Sequence, residues 1–283
     1  MDKHKTIDII CPLYNAEDYI KRLNDSFLMQ KKVNLNKVKY ILTESNDQTE
    51  EILKKEKCIY KKIKKEQFSH SLTRESAVRE SSADIVVFVT QDVIIEDQYW
   101  LYYLTKNINH EIVACYSKQI TKFNNIEKYT RERNYPEKSS VVSKKDIQNL
   151  GLRTFFFSDA SSAINRKVFL HLKGYDQKKL PTNEDMYIAY KIIMNGYKIR
   201  YCSESMVIHS HNFTLKELYN RYKLIGEFFK ENRYLNQYGA THSGYDLAKY
   251  ILKRIISERR YQLLFRYPWD MAVRLIGMKV GKM

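Results

Sequence analysis

Hydrophobic residues in the first half of the chain occur in short unbroken runs, separated by segments with helical spacing. The clearest run, Ile85–Val89, ends in the polar Thr90-Gln-Asp92. An unbroken apolar run of this length is typical of a strand that is covered on both faces, as in an α/β sheet. Further strands are predicted at 7–12, 38–43, 58–63 and 112–117, and helices at 16–29, 49–57, 73–81 and 97–108. This alternation predicts a mainly parallel central sheet with flanking helices and right-handed crossovers.

The second half is less regular. Residues 118–152 are polar and charged, which predicts an inserted helix and a mobile loop that could act as a lid. The apolar run Phe155–Ser158 predicts another buried strand, and the last strands are predicted at 198–202 and 206–208. Helices are predicted at 166–173, ending at Gly174, and from an Asn183 cap to about Asn195, ending at Gly196. From Leu215 onward the pattern is helical.

Composition sets broad limits on the protein. Its 283 residues are 43% hydrophobic, enough for a sizeable core, so the chain is expected to be globular. The 4 cysteines are scattered without a CxxC pair, which favours reduced thiols in a cytosolic protein. No run approaches the ~20 apolar residues of a membrane span. The net charge of +16 favours an anionic partner, whether nucleic acid, an anionic membrane surface or a phosphate-bearing substrate.

Polar clusters follow the predicted strand ends, where ligands bind in α/β sheets. They are Pro12–Asn15, Thr43–Asp47, Phe68–Arg74, Thr90–Asp92, and Asn183–Asp185 together with His209–His211. Each has an ordinary structural explanation on its own, such as turn formation or acidic residues in a first helical turn. Together they bring carboxylates and imidazoles to one edge of the sheet, with Arg74 and His70 able to bind phosphate. A divalent cation bridging a diphosphate fits this set.

These motifs resemble the family 2 glycosyltransferases, which have the GT-A fold, a Rossmann-like arrangement, and the resemblance runs from Ile7 to about Phe213. Cys11-Pro-Leu-Tyr-Asn-Ala-Glu17 is similar to the family's first strand and turn. Phe68-Ser-His-Ser-Leu-Thr-Arg-Glu75 is similar to the His-Gly-x-Thr-Arg-Asn segment of its bacterial rhamnosyltransferase branch. Thr-Gln-Asp92 stands where the Asp-x-Asp metal motif is expected, and Asn-Glu-Asp185 matches the motif that supplies the catalytic base. The segment from Ile208 to Phe213 resembles the one that closes the metal site.

The resemblance implies roles for individual residues. Donor-binding residues would be Pro12, Tyr14, Asn15, Glu44, His70, Thr73, Arg74, Gln91 and Asp92. Asp92, His209 and His211 would hold Mn²⁺ or Mg²⁺, Asp185 would be the general base with Glu184 beside it, and Asp159 and Glu184 would contact the acceptor. The sequence departs from the family pattern at Thr90, at Glu44, and at Ser71 and Glu75, which replace the branch's Gly and Asn.

The implied activity is inverting glycosyl transfer from a nucleotide diphosphate sugar, with dTDP-L-rhamnose as the favoured donor. The acceptor would be a saccharide or lipid-linked saccharide of a bacterial surface polysaccharide, such as a capsule or cell-wall polymer. A UDP-hexose donor is the alternative within the same fold. A non-catalytic scaffold and a nucleic-acid-binding protein are alternatives of other classes, although no RNP, KH, zinc-finger or helix-turn-helix pattern supports binding of nucleic acid.

The C-terminal tail carries a different pattern. Residues 249–283 contain nine Lys or Arg and two acidic residues, with apolar positions spaced along helical faces. Basic amphipathic helices of this kind bind anionic membranes, and the alternative is a cap packed on the core or a homodimer interface. We therefore expect a GT-A catalytic domain at 1–212 and a helical, basic extension at 213–283. The protein is expected in the cytoplasm, peripheral on the inner face of the membrane.

Overall fold

An eight-stranded mixed sheet forms the centre of the protein. The computed structural model describes residues 5–283, with only the backbone for 240–243. The strands are β1 (Thr6–Leu13), β2 (Asn34–Thr43), β3 (Ile59–Ile63), β4 (Ile85–Val89), β5 (Ile112–Ile120), β6 (Ser140–Val142), β7 (Ser161–Asn165) and β8 (Lys198–Ile208). Their order is β3-β2-β1-β4-β7-β5-β8-β6. Strands β3, β2, β1 and β4 are parallel, as predicted, and so are β5 and β8.

Two strands of the sheet run antiparallel. Strand β7 is antiparallel to both β4 and β5, and β6 pairs antiparallel with β8. The predicted strand Phe155–Ser158 is wrong, because Phe155 ends a 3₁₀ turn and the strand begins only at Ser161. Phe155 and Phe157 are buried in the core but form no strand, so their apolar run reflects core packing and not strand pairing. The two last predicted strands are one strand with a register shift opposite Ser117 and Lys118.

Helices cover both faces of the sheet. They are α1 (Ile20–Leu28), α2 (Thr49–Lys55), α3 (His70–Glu80), α4 (Trp100–Thr105), α5 (Ile126–Asn134), α6 (Ile147–Leu150), α7 (Arg166–His171), α8 (Glu184–Met194), α9 (Leu215–Glu231), α10 (Ala240–Ser257) and α11 (Tyr267–Lys282). Short 3₁₀ turns lie at Lys65–Gln67, Lys144–Asp146, Gly151–Phe155, Arg233–Tyr238 and Tyr261–Leu264. The segment 118–152 contains α5, as predicted, but β6 and short helices in place of the predicted mobile loop.

The run that marks β4 is explained by burial on both sides. All five residues from Ile85 to Val89 are buried. Val86 and Phe88 pack in the cluster that contains α3, α7 and α8, whereas Ile85, Val87 and Val89 pack in the cluster that contains α1 and α4. Successive side chains of a strand point to opposite faces, so a strand with helices on both sides has no polar position. This packing fixes the end of β4, which the half-buried turn Thr90-Gln-Asp92 follows.

The C-terminal helices are packed onto the rest of the protein. Ile251 and Ile255 of α10 are fully buried against Ile126 and Tyr129 of α5. Helix α11 lies against α9 at glycines, since a Cβ added at Gly277 would lie 2.6 Å from the carbonyl oxygen of Tyr219. Such a distance is far below a van der Waals contact, so only glycine permits this approach of the two helices. The tail is therefore a packed structure, as one of the two predicted alternatives required.

Helix α11 nevertheless buries charged side chains and exposes apolar ones, which is the reverse of the usual arrangement in a helix that packs on a core. Its buried face carries Asp270 and Arg274, whose carboxylate and guanidinium are 2.7 Å apart. Arg274 also pairs with Glu127 of α5 at 3.0 Å. The opposite face and the turn before it form an exposed apolar stripe, which consists of Phe265, Trp269, Ile276, Val280 and Met283. Phe265 and Trp269 are 84% and 65% exposed. None of the described helices is long and apolar enough to cross a bilayer.

Candidate active site

A cleft of about 690 Å³ opens at the carboxyl ends of β1 and β4. Many of the residues predicted from the sequence line it, namely Pro12, Tyr14, His70, Arg74, Gln91, Asp92, Asp159, Glu184, Asp185, His209 and His211. They come from strand ends, from the first turns of α3 and α8, and from the segment after β8. The fold thus brings together side chains that are up to about 200 residues apart in the sequence, at the edge of the sheet where α/β proteins bind ligands.

Asp92, His209 and His211 form a cluster of the kind that holds a metal ion. One ligand atom from each lies within 4.8 Å of the others. The imidazole rings have their centroids 4.3 Å apart, and His209 Nε2 is 3.2 Å from Asp92 Oδ2. Burial raises the pKa of Asp92, but at the low pH where this carboxyl titrates the hydrogen bond and charge of a protonated His209 outweigh burial and hold that pKa well below its ordinary value. Burial lowers the pKa of His211 to about 3 and also lowers that of His209, so both imidazoles are neutral at pH 7.

Gln119 of β5 fixes the tautomer of His209. Its amide oxygen accepts a hydrogen bond from Arg131 Nη1 at 2.5 Å, and its amide nitrogen donates to Ser158 Oγ at 2.8 Å. Since a guanidinium only donates, the amide orientation is determined. The same oxygen lies 2.8 Å from His209 Nδ1, which must therefore carry the proton. The lone pair on Nε2 then faces the carboxylate of Asp92, and two facing acceptors require a cation between them. The donor set fits a divalent metal.

A buried ion pair lies on the opposite side of the cleft. Arg74 of α3, 2% exposed, donates from Nη1 to Glu184 Oε1 at 3.1 Å and to the carbonyl oxygen of His70 at 3.0 Å. Burial lowers the pKa of Arg74, but the charges of Glu184 and Asp159 more than compensate and raise it. His70 stands at the mouth of the cleft, with Nδ1 4.0 Å from Glu184 Oε1. Helix α3 begins at His70, three residues earlier than predicted, because Ser69 caps it.

Asp185 lies beside this pair in the first turn of α8. Burial, and then the charge of Glu184 and that of Asp159, raise its pKa well above the ordinary value. Asp159 is buried and accepts hydrogen bonds from Ser162 Oγ at 2.7 Å and the hydroxyl of Tyr175 at 2.9 Å. Burial raises the pKa of Asp159 to about 6, although Arg74 opposes the shift. A carboxyl group with a raised pKa is a stronger base once it is ionised, which suits proton abstraction.

The backbone before Asp185 has an unusual conformation. The helix begins at Glu184, as predicted, but Asn183 does not cap it with its side chain. Asn183 instead adopts a left-handed conformation with φ 57°. Such a conformation costs energy for a residue with a Cβ and is tolerated best by Asn and Asp. It turns the chain so that Glu184 and Asp185 enter the cleft together.

Two departures from the family pattern have a structural explanation. Ser71 Oγ donates to the carbonyl oxygen of Lys178 at 2.6 Å and accepts from the amide of Leu180 at 3.1 Å. Glu75 is buried and accepts from the backbone amides of Tyr175 and Gln177. Both side chains of α3 therefore hold the segment that leads into α8 and the acidic pair.

Some predicted donor-binding residues do not line the cleft. Glu44 is exposed at the end of β2, and Asn15 is occupied with the neighbouring loop through Ser45 and Asn46. The hydroxyl of Thr73 accepts a hydrogen bond from the amide of Ser69 within α3. Direct donor contacts of these three residues stay predictions. Gln91 lines the cleft but uses both amide atoms on the backbone of Tyr14.

Sequence reasoning missed several polar residues of the cleft, among them Gln119, Arg131 and Arg221. Arg131 belongs to α5 and Arg221 to α9. Each lies in a stretch with other basic residues, and no local pattern separates them from surface charges. No local pattern separates Gln119 either, because it follows two other polar residues, Ser117 and Lys118, near the end of β5.

A mixed sheet in this order, with an acidic and histidine-containing cleft at its strand ends, defines a GT-A fold, the fold of a large class of nucleotide-sugar-dependent glycosyltransferases. Solved structures agree. A mannosyltransferase from Pyrobaculum calidifontis, in complex with GDP-Man and Mn²⁺, superimposes with a TM-score of 0.68 at 13% identity, covering 99% of this chain and 88% of the other. Staphylococcus aureus TarS residues 1–349, in complex with UDP-GlcNAc, gives 0.55 at 16% identity, covering 97% and 90%.

Sequence comparison identifies the family. Residues 8–172 match glycosyl transferase family 2. The O-antigen chain rhamnosyltransferase RfbN of Salmonella typhimurium is 31% identical over 98% of this chain and 89% of its own length. The O-antigen chain rhamnosyltransferase WbaN of Salmonella anatum is also 31% identical, over 97% and 88%. The chain belongs to the family 2 glycosyltransferases, in the rhamnosyltransferase branch, and the resemblance drawn from its motifs is confirmed.

Proposed function

We propose that the protein is an inverting glycosyltransferase that moves L-rhamnose from dTDP-rhamnose to a saccharide or lipid-linked saccharide during synthesis of a bacterial surface polysaccharide. The observation that carries this proposal is the placement of two different chemistries in one cleft. The cluster of Asp92, His209 and His211 suits a cation at a diphosphate, and Asp185 offers a carboxylate of raised pKa. Glycosyl transfer needs both a stabilised leaving group and a proton acceptor.

The donor side of the cleft would be formed by β1, β4 and α3. Asp92, His209 and His211 would hold Mn²⁺ or Mg²⁺, and a bound divalent ion would supply Lewis-acid stabilisation of charge on the diphosphate. Arg74 and His70, which line the cleft, would donate to the diphosphate or the ribose. Pro12 and Tyr14 would border the nucleoside. Gln91 would contribute by holding the Tyr14 backbone.

On the acceptor side, Asp185 would take the proton of the attacking hydroxyl. Glu184, engaged with Arg74, would orient the acceptor or the base, and Asp159 would support the same region. A single base on the side opposite the leaving group leads to direct displacement and hence to inversion at the anomeric carbon. General-base catalysis of this kind typically contributes ~10²–10⁴-fold in rate.

The donor sugar is proposed from the relatives. The two curated relatives at 31% identity are both named as O-antigen chain rhamnosyltransferases, and the chain covers most of their length. Incubation of the protein with dTDP-rhamnose or with UDP-hexoses, Mn²⁺ and lipid-linked saccharide acceptors tests the proposal by release of the nucleotide and by mass of the product. Transfer from a UDP-hexose alone would replace the proposed donor. No transfer and no hydrolysis from any donor would favour a scaffold.

We also propose that the exposed apolar stripe on α11 contacts the inner face of the cytoplasmic membrane. The large side chains of this stripe are exposed to solvent. The C-terminal helices and the turns between them also carry exposed cations such as Lys253, Arg259 and Lys279. Basic segments with exposed aromatic residues bind anionic bilayers through apolar insertion and charge attraction. A peripheral position would place the cleft near a lipid-linked acceptor.

A further inference from the structure

Three arginines of the described chain are nearly buried, and one of them lacks a counter-charge. Arg74 pairs with Glu184, and Arg274 pairs with both Asp270 and Glu127. Arg131, only 8% exposed, has no carboxylate within 4.0 Å among the residues that the structure describes. A buried guanidinium without a directly paired anion is costly, because it loses its hydration, and the longer-range attraction of Glu127 and Asp92 does not outweigh the effect of burial on Arg131. Such an arrangement is explained if an anion arrives from outside the chain.

The position of Arg131 fits a ligand site. Its side chain lines the cleft, and its single described hydrogen bond runs from Nη1 to Gln119 Oε1. The Nε–H group is buried and has no hydrogen-bond partner. Through Gln119 the guanidinium lies two hydrogen bonds away from His209 and the cation cluster. The guanidinium of Arg131 therefore lies in the wall of the cleft, next to the cation cluster, with one of its buried donors unsatisfied.

Arg221 of α9 supplies a second positive charge to the same region. It lines the cleft and is exposed, with its guanidinium carbon 5.6 Å from the ring centre of Phe213. Phe213 stacks in turn on His211, with ring centroids 4.8 Å apart. Burial lowers the pKa of Arg131, Tyr135 and Glu127 oppose this shift, and the positive charge of Arg221 adds to it. Two guanidinium groups that line the same cleft attract an anion of more than one negative charge.

We infer that Arg131 and Arg221 form an anion site for a diphosphate group, separate from the pair made by Arg74 and Glu184. Arginine is suited to this task because its planar fork donates two parallel hydrogen bonds to phosphate oxygens. The diphosphate could be that of the sugar donor or that of a lipid-linked acceptor. The inference rests on the proposed function only for the identity of this carrier.

Inorganic pyrophosphate tests the site without any need for catalysis. Its affinity is measured by calorimetry in EDTA for the native protein and for Arg131→Gln, Arg221→Gln and Arg233→Gln. Arg233 is exposed outside the cleft and changes the net charge equally, so it is the matched control. We expect about 10- to 100-fold weaker binding for the first two variants, as for loss of a charged hydrogen bond, and little change for Arg233→Gln. Equal affinity in all four proteins overturns the inference.

A purely structural role for Arg131 predicts a different result. If Arg131 acts only by holding Gln119 and His209, Arg131→Gln weakens binding in Mn²⁺ but not in EDTA, and Gln119→Leu reproduces its effect. That outcome removes Arg131 from the anion site. Arg131→Lys keeps the charge but not the fork, and it is expected to retain part of the affinity. Should Arg131→Gln not fold, as judged by thermal unfolding, Arg131→Lys and the exposed Arg221→Gln decide the matter by the same comparison.

The source of the diphosphate is then separated with two pairs of ligands. A donor site is indicated if Arg131→Gln weakens binding of dTDP but leaves thymidine unchanged. An acceptor site is indicated if dTDP binding is unchanged while KM rises for a lipid diphosphate-linked saccharide and not for the free saccharide. Either pattern supports the diphosphate site, and a variant that changes neither pair contradicts it. A protein that binds pyrophosphate through these arginines but transfers no sugar would contradict the proposed function alone.

Discussion

The carboxylate oxygen Oδ2 of Asp92 and the imidazole Nε2 of His209 face each other at 3.2 Å. Both atoms carry lone pairs, because Gln119 holds the imidazole proton on the other nitrogen. Two acceptors at this distance repel unless a proton or a metal ion lies between them. Burial lowers the pKa of His209, although Asp92 opposes the shift, and a lower pKa disfavours the proton at neutral pH. This relationship makes Asp92 and His209 part of a candidate cation site, although the first Asp of the usual metal motif is Thr90.

Donor binding is therefore expected to depend strongly on a divalent cation. Calorimetric titration of dTDP and UDP with Mn²⁺ and with EDTA measures the dependence, and Asp92→Asn is expected to weaken nucleotide binding in Mn²⁺. Gln119→Leu frees the tautomer of His209 and is expected to lower the affinity for Mn²⁺ about 10- to 100-fold, as loss of an outer-shell hydrogen bond does. Nucleotide affinities that are the same in EDTA and in Mn²⁺ would exclude the metal assignment.

Asp185→Asn is expected to abolish transfer and to leave donor affinity nearly unchanged. The amide keeps the shape and hydrogen bonding of the carboxylate but cannot accept a proton, so it acts on the transition state alone. We expect turnover to fall ~10²–10⁴-fold, measured by nucleotide release under saturating donor. Asp246→Asn, an exposed change on α10, is the control. Near-normal turnover of Asp185→Asn would assign the base to Glu184 or Asp159 instead.

Asp159→Asn is expected to stabilise the protein at pH 7.5 but not at pH 4.5. Burial raises the pKa of Asp159 to about 6, above the ordinary 3.8. The folded state therefore binds this proton more tightly than the unfolded chain, and stability falls as the pH rises from about 4 to about 6. The amide removes that cost, on the order of 1–3 kcal/mol above the window. Thermal unfolding at both pH values measures the difference, and equal melting temperatures of the two proteins at pH 7.5 would contradict it.

The apolar stripe is expected to control membrane binding. Phe265→Ser combined with Trp269→Ser should lower co-sedimentation with anionic liposomes by at least about 10-fold, since each large apolar side chain is worth ~1.5–3 kcal/mol when buried. Binding should also weaken with salt. Leu28→Ser is the control, because Leu28 is equally exposed, at 69%, but lies on α1. Unchanged liposome binding, together with a mass in solution that shifts from dimer to monomer, would assign the stripe to a homodimer.

Two glycine substitutions should have opposite effects on stability. A Cβ at Gly277 would meet the carbonyl oxygen of Tyr219 at 2.6 Å, so Gly277→Ala must separate α11 from α9 and is expected to cost ~1–3 kcal/mol. At Gly244 nothing lies within 4 Å, and Gly244→Ala is expected to add ~0.5–1 kcal/mol through helix propensity. Chemical denaturation measures both. A neutral Gly277→Ala would mean that the two helices are not packed through glycine.

Local sequence patterns predicted those features of the structure that are determined mainly by a single strand or helix. The apolar run of β4 predicted its burial, and the polar residues after the strands predicted the cleft that contains Asp92, Asp185 and His209. The sequence could not reveal Arg131, because its lack of a counter-charge depends on residues from other elements. Gln119 is similar, since its partner His209 lies 90 residues away.

Other predictions differ from the structure in the pairing, the length or the packing of an element. Phe155 and Phe157 were predicted to lie in a strand because burial and strand pairing favour the same residues, and here only burial applies. Helices predicted at 16–29 and 97–108 are shorter in the structure, at Ile20–Leu28 and Trp100–Thr105. Gly277 and Gly281, four residues apart, could have predicted the close approach of α9 and α11. The membrane prediction for the tail was based instead on its charge and its apolar helical faces.

Helix α5 has a consequence for how such proteins can be recombined. One side of it presents Arg131 to the cleft, while Tyr129 and Glu127 contact the C-terminal helices. Consider a chimaera in which residues 213–283 are exchanged between two relatives and α5 is not. Glu127 would then lose its ion pair with Arg274, and the helix that carries Arg131 would be disturbed. The tail and α5 therefore form one structural unit that should be exchanged as a whole, although about 80 residues separate the two segments in the sequence. Changes in acceptor delivery and in diphosphate binding are expected to be inherited together.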